Sequence, residues 1–98
     1  MLLSIIIVSY EVKYFLEQCL FSVKEAIKMV EKEFVGLLIE VIVVDNASSD
    51  GTIDYLRESF PSINFIPNKT NVGFGRANNQ AIQIARGKYI LFLCRKNP

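Results

Sequence analysis

Ile39-Glu40-Val41-Ile42-Val43-Val44-Asp45-Asn46-Ala47-Ser48-Ser49-Asp50-Gly51-Thr52 runs from an apolar segment straight into a polar loop. The first half, Ile39 to Val44, is almost continuously β-branched. That composition marks a strand covered on both faces, as inner strands of parallel sheets are. The second half puts a carboxylate at the strand end, beside small hydrogen-bonding residues. Asp45 could accept from the donors of a base or sugar while the backbone passes close to the ligand. The loop could equally be self-contained, its side chains satisfying turns and capping the next helix. Ser49 or Asp50 is the expected cap of that helix, in which Ile53, Leu56 and Phe60 share a face and Pro61 lies beyond the end.

Upstream, Leu3 to Val8 is another β-branched run and predicts a first buried strand. Leu16, Leu20, Val23, Ile27, Val30 and Phe34 then recur at steps of four and three, one face of a long amphipathic helix. Gly36 suits its C-terminal cap. Downstream, Asn64 to Ile66 predicts a brief third strand ending at Pro67, and Asn68–Gly73 a loop. A helix follows with Phe74, Ala77, Ala81 and Ile84 on one stripe, ended by Gly87, and Tyr89 to Leu93 predicts a fourth strand. The order β-α-β-α-β-α-β predicts an α/β fold with a parallel sheet, right-handed crossovers and strand order 3-2-1-4. Ligands of such sheets sit outside the carboxyl ends of the strands. The segments to inspect are therefore Ser9 to Val12, Asp45 to Gly51, Pro67 to Gly75, and Cys94 onward.

These segments exclude several chemistries. No glycine follows the first strand, where a dinucleotide fold needs a tight turn against the pyrophosphate. Gly73-Phe74-Gly75 resembles part of that fingerprint, but Asn78 holds the third glycine's place, and no P-loop is present. Arg76, Asn78 and Asn79 do fall in the first turns of a helix, where free amides and the dipole favour anions. Cys19 and Cys94 have no metal-ligand spacing and no histidine beside them, so both are read as buried free thiols.

The chain has 98 residues, of which 51% are hydrophobic and 21% charged, which excludes a disordered polymer. No apolar window reaches the ~18 residues of a membrane span. Leu2 to Val8 is too short for a signal peptide, so a cytoplasmic location is expected. The net charge of +1 hides an asymmetry: all 10 acids precede Ser59, while Lys69, Arg76, Arg86, Lys88, Arg95 and Lys96 follow with none. This is either a cationic face for a phosphate-bearing ligand or a surplus balanced by acids elsewhere. The bases are scattered without aromatic interleaving, so no nucleic-acid partner is expected.

Four blocks carry a resemblance. Ser4-Ile5-Ile6-Ile7-Val8-Ser9-Tyr10-Glu11, Val44-Asp45-Asn46-Ala47-Ser48-Ser49-Asp50-Gly51-Thr52, Asn71-Val72-Gly73-Phe74-Gly75-Arg76-Ala77-Asn78-Asn79-Gln80-Ala81 and Gly87-Lys88-Tyr89-Ile90-Leu91-Phe92-Leu93 stand in order. Together they resemble the family 2 glycosyltransferases across nearly all of residues 3–93. The closest likeness is to the rhamnosyltransferase-like subgroup of cell-surface polysaccharide synthesis. The resemblance implies half of a GT-A fold and a nucleotide-diphosphate sugar whose base lies between the first two strand ends. It implies nucleotide-binding roles for Ser9, Tyr10, Glu11, Asp45, Asn46, Arg76, Asn78 and Asn79. Asn78 stands where many members carry arginine, a charged contact that Arg76 would have to replace. The family also uses a divalent cation, Mn²⁺ or Mg²⁺, on a carboxylate motif directly after the fourth strand. Here Leu93 is followed by Cys94-Arg95-Lys96-Asn97-Pro98, and no carboxylate occurs after Glu58. The expectation is thus a truncated N-terminal, nucleotide-sugar-binding part of the domain (residues 1–98). It would lack the metal ligand, the acceptor half and the catalytic base, and would be inactive alone; the full-length enzyme is expected to be cytoplasmic or membrane-peripheral. The alternative is a non-catalytic nucleotide-binding remnant, or an interaction module that needs a partner chain. Residues 89–93 are the expected self-association edge.

Overall fold

The computed structural model describes residues 2–93. The elements are β1 (Leu2–Ser9), α1 (Lys13–Glu33), β2 (Leu38–Asp45), α2 (Thr52–Ser59), β3 (Asn64–Pro67), α3 (Phe74–Ile84) and β4 (Tyr89–Leu93). Their strands form one parallel sheet in the order β3-β2-β1-β4, as the sequence predicts. The fold is α/β, with each crossover between parallel strands carried by a helix.

Alternation along the central strands divides the core in two. Ile5, Ile7, Val41, Val43 and Phe65 point to the face covered by α1 and α2, where they meet Leu16, Leu20, Leu56 and Phe60. Ile6, Ile42 and Val44 point to the other face and meet Ala77 and Ala81 of α3. Strands buried on both sides can carry an unbroken β-branched run, because neither face needs a polar residue.

The helices differ from their predicted ends in ways the backbone explains. On α1, Leu16 and Leu20 are buried, but Phe34 ends the helix as its C-cap and stays exposed. Gly36 lies two residues further on with φ +90°, where its missing Cβ allows the turn into β2. The N-cap of α2 is Gly51, at φ +73°, rather than Ser49 or Asp50. Asp50 still receives the first helical amide, Thr52 N, at 3.2 Å, together with the Thr52 hydroxyl. On α3 only Ala77 and Ala81 are buried, whereas Phe74 and Ile84 remain at the surface. Two alanines let this helix lie close on β1 and β2, and its apolar end positions are not needed for that contact.

α3 ends at Ile84, before Gly87, and that glycine serves a different purpose. A Cβ there would lie 2.5 Å from the Ser4 amide nitrogen and 2.8 Å from the Tyr89 carbonyl oxygen. The approach permits Gly87 N to donate to Ser4 Oγ at 2.8 Å and Lys88 N to Leu2 O at 2.8 Å. Beside it, the Glu40 carboxylate accepts from the Ser4 hydroxyl and from Arg86 N at 2.6 Å, with Arg86 Nε 3.8 Å away. This clasp at the amino edge sets β4 into the sheet. β4 itself is thinly covered: Tyr89 to Phe92 are 37–52% exposed.

Candidate functional site

The opposite, carboxyl edge is built from two loops that continue the pairing of β1 and β2 beyond the strands. Ser9 and Asp45 are register partners. Past them, Asn46 N donates to Ser9 O at 2.8 Å, and Asn68 N, after β3, donates to Asp45 O at 2.9 Å. The β1–α1 turn then meets the β2–α2 loop side chain by side chain. Glu11 N donates to Ser48 Oγ at 2.8 Å, while the Glu11 carboxylate accepts the Ser49 amide and, at 3.1 Å, the Ser49 hydroxyl. Lys13 N donates to Asp50 Oδ2 at 3.2 Å, and Lys13 Nζ to Asp50 O at 2.9 Å. Residues 9, 11 and 13 thus take successive partners along the second loop.

Two non-glycine residues of this zipped pair are left-handed, Glu11 at φ +55° and Ala47 at φ +64°. Such backbones cost roughly 1–3 kcal/mol each and persist where surrounding contacts over-determine them. The cross-loop bonds are those contacts here.

At the centre lies Asp45, only 4% exposed. Its Oδ1 accepts from Ser9 Oγ at 3.2 Å and from Ser48 Oγ at 2.5 Å, and its Oδ2 from Ser48 N at 3.1 Å. A carboxylate offers about four acceptor positions, so Oδ2 retains one. Asp45 also lines a cavity of about 280 Å³ with Ser48, Thr52, Arg57, Pro67 and Asn68. A buried carboxylate with one acceptor position left, set beside such a cavity, is equipped to take an N–H from a small planar ligand.

α3 is tied to this cluster by amides. Asn46 Nδ2 donates to Gly73 O at 3.4 Å, and Asn68 Nδ2 to Asn46 Oδ1 at 3.0 Å. Asn68 and Gln80 exchange two bonds, at 2.8 and 3.0 Å. The result fixes where the α3 N-terminus points. Gly73 is its N-cap and no side chain caps it, so its first amides remain available to an anion.

Ser9, Glu11, Asp45 and Asn46 are thus brought into one bonded cluster, with Tyr10 exposed beside them. The Glu11 carboxylate is spent on Ser49, so its part is to hold the loop. Arg76, Asn78 and Asn79 stand in the first turns of α3 and join the cluster through their helix. Sequence reasoning assigns no role to Lys13, Asn68 or Gln80. Isolated polar residues carry no periodic signal, and these three gain partners only through the sheet order.

Burial alone would raise the Asp50 carboxyl, but the Thr52 hydroxyl and the amides of Lys13, Thr52 and Asp50 itself hold it below its ordinary value. Burial pushes the Cys19 thiol up. Among the described residues, no cluster of histidine, cysteine, aspartate and glutamate could hold a metal ion. The described side chains at this edge therefore do not by themselves form a donor set for Mn²⁺ or Mg²⁺. The stretch Cys94-Arg95-Lys96-Asn97-Pro98, where the family resemblance places a metal-binding motif, lies outside the described residues. Among the described residues, no helix is long and apolar enough to cross a membrane.

Comparison with known proteins adds an independent finding. Residues 4–93 match the profile described as Glycosyl transferase family 2. The glycosyltransferase YfnE of Bacillus subtilis is 38% identical over 92 residues, covering 91% of this chain and 21% of YfnE. The poly(ribitol-phosphate) beta-glucosyltransferase of Bacillus spizizenii is 32% identical over 97 residues, covering 95% of this chain and 14% of that protein. The crystal structure of S. aureus TarS 1-349 superposes with a TM-score of 0.73 at 26% identity, covering 95% of this chain and 27% of that one. The chain thus spans 14–21% of the length of the two curated relatives and 27% of the TarS 1-349 chain.

Proposed function

The chain belongs to glycosyl transferase family 2, and on that premise we propose that residues 1–98 supply the N-terminal, nucleotide-binding part of a sugar-transferring domain. The donor is a nucleotide-diphosphate sugar, and the acceptor a glycan or lipid-linked glycan of the cell surface. The rhamnosyltransferase-like subgroup is the finer reading, supported by the resemblance that the four sequence blocks carry together. Ser9, Tyr10, Glu11, Asp45, Asn46, Arg76, Asn78 and Asn79 form the nucleotide site, in unlike roles. Asp45 accepts the base N–H, Ser9, Glu11 and Asn46 fix the loops around it, and Tyr10 offers an exposed ring. The first amides of α3, with Arg76, Asn78 and Asn79, face the diphosphate.

One observation carries this reading: Asp45 is buried between two stitched loops, with an acceptor position remaining and a cavity beside it. Calorimetric titration of UDP and dTDP into the 98-residue chain tests it. Saturable binding is expected, weakened at least about tenfold (1.4 kcal/mol) by Asp45→Asn. Because the described residues offer no cation donor set, Mn²⁺ or Mg²⁺ should change the affinity by less than about tenfold. Binding that survives Asp45→Asn unchanged would remove Asp45 from the site. The acceptor-binding half and the catalytic base belong, in this proposal, to further sequence, so the chain alone transfers no sugar.

A second reading rests on β4, whose apolar side chains are exposed from Tyr89 to Phe92. A bare edge strand offers unpaired backbone groups to another chain, and self-association through residues 89–93 is proposed alongside nucleotide binding.

A further inference from the structure

Lys13 lies outside the nucleotide contacts proposed above, yet it holds the far end of the loop that carries them. Its amide bonds Asp50 Oδ2 and its ammonium bonds Asp50 O, so both the side chain and the backbone of Asp50 are gripped from α1. The ammonium also sits 5.0 Å from the Tyr14 ring centroid and 5.1 Å from that of Tyr55. The two rings meet edge to face at 5.8 Å. Tyr14 belongs to α1 and Tyr55 to α2, so one cation joins both helix starts to the loop between β2 and α2.

The loop needs such a hold. Ala47 at φ +64° and Gly51 at φ +73° place left-handed residues near either end of the segment 46–51. Between them, Ser48 gives both its amide and its hydroxyl to Asp45. Glu11 secures the middle of the segment and Lys13 its end. If the end is released, the strained backbone relaxes, and Ser48 no longer holds the Asp45 carboxylate in one orientation.

We propose that Lys13 is a positioning residue for nucleotide binding, acting through Asp50 on the 45–51 loop and never touching the ligand. This rests on the reading of Asp45 as the base contact. An ammonium suits the task because it can donate to a carbonyl while its remaining charge lies between two π faces.

The test compares the 98-residue parent chain with Lys13→Met, Lys13→Arg and Asp45→Asn, using UDP and dTDP as probes. Lys13→Met should lower affinity about tenfold and speed amide exchange in residues 46–51 without speeding it in β1 and β2. Lys13→Arg keeps the cation and its stacking, and should recover most of both losses. If Lys13→Met binds within about twofold of the parent while Asp45→Asn does not bind, the positioning role is overturned and the nucleotide site stands. If exchange rises equally throughout the sheet and Lys13→Arg rescues nothing, Lys13 is merely structural and the proposal is overturned. If neither the parent nor any variant binds, the nucleotide reading falls and this inference falls with it.

Discussion

β1 and β2 contain two serine–carboxylate pairs in register, Ser4–Glu40 at the amino edge and Ser9–Asp45 at the carboxyl edge. All four residues are largely buried, and in each pair the hydroxyl donates to the carboxylate. Their surroundings differ. At the amino edge the chain returns: the segment from α3 to β4 crosses over Ser4, and Arg86 N and Gly87 N close on the pair. At the carboxyl edge the chain departs in two loops, whose donors leave Oδ2 of Asp45 with an acceptor position, and Asp45 lines a cavity. The same chemistry thus becomes a clasp where a backbone covers it and a candidate site where loops diverge from it. This is the physical content of finding ligands at the carboxyl ends of parallel strands.

The sharpest way to break the comparison is Gly87→Ala. The new methyl would meet backbone atoms of Ser4 and Tyr89, which cannot rotate away. A loss of about 3 kcal/mol is expected in urea unfolding, with β4 released first. The same change at Gly75 meets nothing within 4 Å and should cost far less. Equal losses at the two glycines would show that the clasp does not fasten β4.

Isosteric changes to the two carboxylates come next. Glu40→Gln replaces a charge-assisted acceptor by a neutral one and puts an NH₂ near donors, so about 1–3 kcal/mol of stability should go. Nucleotide affinity should not move. Asp45→Asn is expected to do the reverse, with a smaller stability loss and affinity down at least about tenfold. Denaturation and calorimetry on the same two proteins measure both, and parallel losses would erase the distinction.

How much of this could be read beforehand follows from the same contrast. The strands and their order were legible, because an unbroken β-branched run such as Ile5-Ile6-Ile7-Val8 has few other uses. Asp45 was legible as a carboxylate at a strand end. The clasp was not: Ser4, Glu40 and Gly87 lie far apart in sequence, and Glu40 inside an apolar strand gives no hint of its partner. Nor was the left-handed backbone of Glu11, since nothing about glutamate favours φ +55° and the Ser48 and Ser49 contacts that hold it there come from a distant loop. The exposure of Phe74 was missed because period alone cannot tell how closely a helix packs.

Acid should sharpen the comparison with a smaller effect. Burial alone would raise the Glu40 carboxyl, but the Ser4 hydroxyl, the Arg86 amide and charge, and the Gly87 amide bring it below its ordinary 4.5. Asp50 is likewise lowered from 3.8. A depressed folded-state value means that the unfolded chain binds the proton first. Each group therefore contributes stability that is present above the ordinary value and lost as pH falls through the depressed one. Unfolding free energy should fall with pH below about 4.5, and Glu40→Gln should flatten part of that slope. An unchanged slope in the variant would mean that the clasp carboxylate does not couple to folding.

The last expectation is the smallest in stability and concerns what the clasp leaves bare. Once Gly87 and Lys88 have set β4 beside β1, its other edge has no strand partner among the described residues, and Tyr89, Ile90, Leu91 and Phe92 remain exposed. Such an edge can template pairing with a second chain, while the charge of Lys88 at one end slows the approach. Leu91→Lys puts a charge in the middle of the strip. Since Leu91 is already 45% exposed, the unfolding free energy should change by no more than about 0.5 kcal/mol. Light scattering should nevertheless separate the two proteins, the parent gaining mass over hours at high concentration and the variant remaining a monomer. A parent that stays monomeric, with strongly protected amides through residues 89–93, would sink the idea. Association that Leu91→Lys leaves unchanged would move the contact to another face, with the clasp and the carboxyl-edge loops untouched.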